Sequence, residues 1–143
     1  MRWMAMSLLL LNSSLVNGEP IIIPHGSLMP HDNGHNKLIG IATPSLGAHH
    51  TEAWHSSIAV GAQTPSHTHA AEEIVILQTG TLEAIVGSKS SSCSAPCTII
   101  LPAGAAHKLR NIGSVATSHY LIMPSKSKIF DSDGNEMNLP WRN

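Results

Sequence analysis

Aromatic side chains, net charge and cysteine are all scarce in this chain of 143 residues. The aromatics are Trp3, Trp54, Trp141, Tyr120 and Phe130 and no others. Lys and Arg together number 8 against 9 Asp plus Glu, spread along the sequence, so no basic stripe exists to neutralise a phosphate backbone. That excludes nucleic acid as a partner. No second hydrophobic block follows a linker, which leaves a single domain, long enough to bury a real core. No long segment within that domain holds a helical period, so helices should be few and short. Histidine stands out against this background, with ten copies, and it is where chemistry is to be sought.

The amino terminus runs from Met1-Arg2 through an apolar stretch, Trp3 to Leu11, to Leu15-Val16-Asn17-Gly18. The stretch is far short of the ~20 residues that span a bilayer. With small residues at Val16 and Gly18 ahead of a cut, residues 1–18 read as a secretory signal peptide. A first β-strand is the competing reading, against which Asn12-Ser13-Ser14 breaks the apolar run. Cys93 and Cys97 are the only cysteines and lie in a Ser-rich stretch, Ser88 to Cys97, that reads as a loop. They suit a short disulfide in an oxidising compartment, with metal binding or no role as alternatives.

Residues 19–50 read as a lead-in segment, its first part rich in Pro, Gly, His and Asn, and residues 51–143 as the barrel. Regular structure is expected from Trp54 onward. Short β-prone runs recur there between turn signals: Trp54 to Val60, Glu73 to Gln78, Thr81 to Val86, Thr98 to Leu101, Lys108 to Ile112 and His119 to Met123. The spacing predicts an all-β antiparallel sandwich or barrel. Two runs, Ile74 to Leu77 and Thr98 to Leu101, are apolar on both faces, so both faces should be covered, by a second copy of the chain or by the lead-in segment.

The chemistry concentrates in two segments. In Thr64-Pro65-Ser66-His67-Thr68-His69-Ala70-Ala71-Glu72-Glu73, residues His67, His69 and Glu73 share one parity on an extended chain and can face a common point. In Pro102 to Asn111, a turn followed by a strand offers His107 as a fourth donor. Three neutral imidazoles and one carboxylate suit a divalent ion, leave a net positive charge and keep a position open for a small anion such as a carboxylate. Zinc, manganese and iron all accept such donors. His25, His31, His35, His49, His50, His55 and His119 have no spacing to recommend them and are expected at the surface or in loops. Glu72 is expected to be solvated.

The two segments are similar to the paired motifs of the cupin superfamily from Gly61 to Gly80 and from Pro102 to Asn111, except that Pro96 stands where the motif has a glycine. Beyond them, Met29-Pro30, Glu52-Ala53-Trp54 and Lys128-Ile129-Phe130 resemble the auxin-binding protein family of plants, over about Ser27 to Trp141. The resemblance implies a single cupin jelly-roll barrel, a homodimer, one divalent metal ion with zinc expected, and capture of an auxin-like carboxylate on that ion. It places Thr64, Pro65, Ile129 and Trp141 in the ligand pocket. The family's Lys-Asp-Glu-Leu retrieval signal has no match here, so the expected location is extracellular or apoplastic rather than the lumen of the endoplasmic reticulum. A membrane receptor is a conceivable partner that no residue identifies. The competing function is a metal-dependent enzyme, a dioxygenase, isomerase or decarboxylase, for which Gln63, Glu72 and Tyr120 are the acid–base candidates.

Overall fold

The computed structural model describes residues 18–142. The signal-peptide reading therefore falls almost entirely outside the described residues. In chain order the strands are β1 (His31–Asp32), β2 (Asn36–Ala42), β3 (Thr51–Ile58), β4 (His67–His69), β5 (Glu73–Thr79), β6 (Thr81–Val86), β7 (Lys89–Ser94), β8 (Cys97–Leu101), β9 (His107–Asn111), β10 (Ser118–Pro124) and β11 (Ile129–Asp131). Three single turns of 3-10 helix, His25–Ser27, Pro44–Leu46 and Pro140–Arg142, are the only helical elements among the described residues. The expected all-β fold is what the chain adopts.

The strands form two antiparallel sheets in the order β1-β2-β3-β10-β5-β8 and β11-β4-β9-β6-β7, packed as a jelly roll. Alternation decides which side chains enter it. In β3, Glu52, Trp54, Ser56 and Ile58 are buried while their neighbours are not, and β10 buries His119, Leu121 and Met123 in the same way. Aliphatic residues fill the interior, with Ile58, Val75, Leu77, Leu82 and Leu101 all but sealed from solvent. Each such Leu or Ile contributes about 1.5–3 kcal/mol. The inner rows turn polar at Glu73, His69 and His107.

Three expectations need correction. Regular structure starts before Trp54: β1 and β2 precede it, because Leu38, Ile39 and Ile41 supply a strand despite the Gly40 that interrupts them. The Ser-rich stretch is not a loop but β7, whose serines are tolerated because the strand lies at a sheet edge and is mostly exposed. The outer face of β5 and β8 is not covered by the lead-in, since Ile100 is 61% and Ile76 37% exposed.

Cys93 and Cys97 are joined in a disulfide. Cys93 lies on β7 and Cys97 on β8, edge strands of different sheets, so the bond ties the sheets at the corner where the chain crosses between them. Closing so short a loop is worth about 2 kcal/mol on the chain-entropy account. At the other end, the Pro140–Arg142 turn docks on β2. A Cβ added to Gly40 would collide with the carbonyl oxygen of Trp141 and approach Thr43 Cγ2 at 2.6 Å, so only glycine admits the turn there.

Candidate metal centre

The turn at residues 70–72 carries the chain from β4 in one sheet to β5 in the other. His67 and His69 leave one face of β4, as their shared parity predicts, and His107 stands opposite His67 on β9. Glu73 arrives from the facing sheet. The single-strand parity argument thus holds for the two histidines, whereas Glu73 reaches the same point because the sheets face one another. The donor atoms of His67, His69, Glu73 and His107 all lie within 4.8 Å of one another. His67 is half-buried and the other three are buried.

Backbone carbonyls set the orientation of all three rings. His67 Nδ1–H donates to Pro65 O at 2.9 Å, His69 Nδ1–H to Ala71 O at 2.6 Å and His107 Nδ1–H to Ala105 O at 2.9 Å. A carbonyl only accepts, so each Nδ1 carries a hydrogen and each Nε2 is the atom turned to the common point. His69 Nε2 lies 2.8 Å from Glu73 Oε2 and His107 Nε2 lies 3.6 Å from it. His107 Nε2 is buried without a hydrogen-bond partner among the described residues. Two lone-pair donors at 2.8 Å are stable only with a proton or a cation between them. Burial alone would raise the Glu73 carboxyl, but the imidazoles of His107 and His69 outweigh it and hold it down at about 2. The bond to Glu73 raises His69 against the opposing effect of burial. Burial lowers His67, so its ring stays neutral and free to ligate.

An orphaned buried Nε2, three rings fixed through Nδ1 and an ionised carboxylate fit a divalent ion. Such an ion supplies a positive centre with positions left over for a ligand oxygen.

His67, Glu73 and His107 also line a cavity of about 220 Å³, while His69 stands behind Glu73. Thr64, Pro65, Ile129 and Trp141 all line it too. Thr64 is placed by β9, accepting the Leu109 N–H on its Oγ1 at 3.0 Å. Ile129 pairs with His69 across β11 and β4. Trp141 packs edge-on against Trp54 with ring centroids 5.4 Å apart. Leu38, Leu101, Leu109, Leu121 and Leu139 supply the aliphatic part of the remaining lining, and Asn33, Asn36, Ser56 and Asn138 add polar groups.

Family comparison agrees with this geometry. The Cupin_2 family, described as a cupin domain, matches residues 54–123, which span β3 to β10 and include all four donors. The barrel to which these residues belong has the cupin jelly-roll fold. Among solved structures, the polyketide cyclase RemF from Streptomyces resistomycificus is similar to this cupin with a TM-score of 0.67 at 10% identity, over 85% of this chain and 88% of that one. A cupin 2 domain-containing protein from Halorhodospira halophila gives 0.62 at 12% identity, over 76% and 73% of the two chains. Lactobacillus farciminis oxalate decarboxylase, in a formate complex, gives 0.68 at 20% identity, over 76% of this chain and 34% of that one. Identities this low speak for the fold alone. No curated protein sequence matches the chain.

The cupin interior holds one residue that sequence reasoning assigned to the surface. His119 is fully buried and lines the cavity. No spacing marks it, because a single histidine on an alternating strand reads alike whichever face it takes. His31 also lines the cavity, though exposed, and His55 is half-buried with its Nε2 at 2.9 Å from Ser118 Oγ. The other histidines outside the cluster, His25, His35, His49 and His50, are exposed as expected. Gln63, Glu72 and Tyr120 do not line the cavity, so none is positioned for acid–base work there.

Burial, aided by His55 and opposed by Glu73, pushes the His119 imidazole from 6.5 down to about 4. Since the folded form holds its proton less tightly than the unfolded chain, the stability from keeping this ring neutral is complete above about pH 6.5 and fades as the pH falls towards 4. The loss should reach about 3 kcal/mol. Urea denaturation of His119→Leu at neutral and acid pH should show a flatter dependence than the parent protein over that window. An unchanged slope would mean that the ring is protonated in the fold.

Proposed function

We propose that this cupin binds a small carboxylate, auxin-like in having an aromatic or apolar body, at a divalent metal ion held by His67, His69, Glu73 and His107. The observation that carries the reading is the convergence of three Nε2 atoms and one carboxylate at the wall of an apolar cavity. The chain's own groups divide the work. The carbonyls of Pro65, Ala71 and Ala105 orient the rings, the aliphatic lining excludes water from the carboxylate's apolar body, and Trp141 offers a ring to an aromatic one. Zinc is the ion that the resemblance to auxin-binding proteins favours. That resemblance also supports Thr64, Pro65, Ile129 and Trp141 as ligand contacts, and all four line the cavity. Formate in the oxalate decarboxylase structure gives a precedent for a small carboxylate in a cupin of similar fold. A homodimer, closed over the exposed Ile76 and Ile100, and export from the cell complete the proposal.

The test is elemental analysis of the purified protein followed by calorimetric titration with indole-3-acetic acid, before and after chelation. One equivalent of zinc with binding that disappears on chelation and returns on adding zinc is the expected result. Iron or manganese, no binding of the acid and turnover of a carboxylate would replace this reading with the enzymatic one.

A further inference from the structure

The cavity wall away from the four donors holds a polar group that the proposed metal site does not use. His119 Nδ1 lies 3.2 Å from Thr117 Oγ1, and that oxygen already accepts the Ile58 N–H at 2.9 Å. Thr117 is buried, and among the described residues its hydroxyl hydrogen has only the His119 ring to go to. The hydroxyl therefore donates to Nδ1, and the ring carries its own hydrogen on Nε2. That Nε2 is buried and has no partner among the described residues. A buried N–H in this position has given up water without replacing it, a debt that an acceptor on a bound molecule settles.

Its placement is specific. β10 pairs with β5 through a register shift that sets Ser118 opposite Thr79 and His119 opposite Leu77, passing over Gln78. Such irregularities re-aim side chains. Glu73 stands four residues from Leu77 along β5, about 13 Å of strand, so His119 occupies a different level of the cavity from the metal donors. Ser56, directly across on β3, lines the cavity beside it. Asn36 Oδ1 and Trp54 Nε1, on β2 and β3 of the same sheet, are also buried without partners. The low affinity of the buried ring for a second proton makes it a neutral donor at neutral pH.

We propose that His119 is a second polar anchor, its Nε2–H donating to an oxygen at the end of the bound molecule remote from the carboxylate. The occupant is then a bifunctional acid: a carboxylate at the four-donor cluster, an apolar spacer, and a hydroxyl or carbonyl oxygen at the His119 end. This rests on the carboxylate reading above.

The experiment loads the protein with zinc and compares hexanoic, octanoic and decanoic acids with their ω-hydroxy counterparts by calorimetry. At the length that spans the cavity the hydroxy acid should bind about tenfold more tightly than the plain acid. His119→Leu should erase that preference while leaving zinc content unchanged, and His119→Gln, which keeps an N–H donor, should retain part of it. Equal affinity of the two acids at every length, or a preference that survives His119→Leu, overturns the anchor and leaves the carboxylate reading standing. If neither acid binds the zinc-loaded protein at any length, both readings are overturned.

Discussion

His107→Ala should lower metal affinity by more than about a hundredfold, a larger loss than the removal of an outer partner of a ligand typically causes. The ring offers a buried Nε2 with no hydrogen-bond partner among the described residues, held in place by its bond to Ala105 O, so truncation takes away a donor and, with it, part of what holds the buried Glu73 carboxylate ionised. The metal-free variant should therefore be somewhat less stable than the metal-free parent, and the effect of metal is read against each protein's own metal-free melt. A further deficit appears on loading. A hundredfold weaker site gives up about 2.3 kcal/mol of ligand-linked stabilisation where the metal stands at a hundred times the parent's dissociation constant. Chelator competition and melting curves with and without metal measure the two effects separately. His49→Ala, at an exposed histidine, serves as the control. Equal metal affinity in His107→Ala and the control would show that the cluster is not a metal site.

Arg142→Ala should destabilise the fold by about 3 kcal/mol. Glu52 is 0% exposed and Arg142 16%, and the guanidinium Nη2 pairs with Glu52 Oε1. Among the described residues, the only other bond to that carboxylate is a long one from the Lys126 N–H at 3.4 Å. Without the arginine a buried carboxylate is left almost uncompensated. The guanidinium also lies 5.3 Å from the Trp54 ring centroid, and Trp54 supports Trp141, so the cavity wall should loosen along with the fold. Denaturant unfolding and ligand affinity should fall together. Adding Glu52→Gln to Arg142→Ala removes the stranded charge and should restore much of the stability. A double variant no more stable than Arg142→Ala would mean that the loss came from packing instead.

The four-donor cluster was legible because its residues come in two short segments with distinctive spacing, and the strands at Glu73, Thr81 and Cys97 because turn residues bracket them. What was hidden was hidden for physical reasons. β7 is built of serines, whose polarity suits an exposed edge and resembles a loop in composition. β2 carries Gly40, which reads as a break until the turn packed against it is seen. His119 looked like any surface histidine, since the face of a strand is settled by register across β3, β10 and β5 and not by the residue itself. Trp141 entered through resemblance to a family and not through any pattern of its own, because its place depends on a contact with a strand a hundred residues earlier.

On the proposed reading, that contact makes Gly40 a participant in recognition. A methyl group there would lift the Trp141 backbone from β2 and draw the indole, one side of the cavity, away with it. The shape offered to the occupant is thus set in part by a hydrogen atom at a position the occupant does not reach, and variation at residue 40 would be read by a binding assay before any change to the metal donors was made.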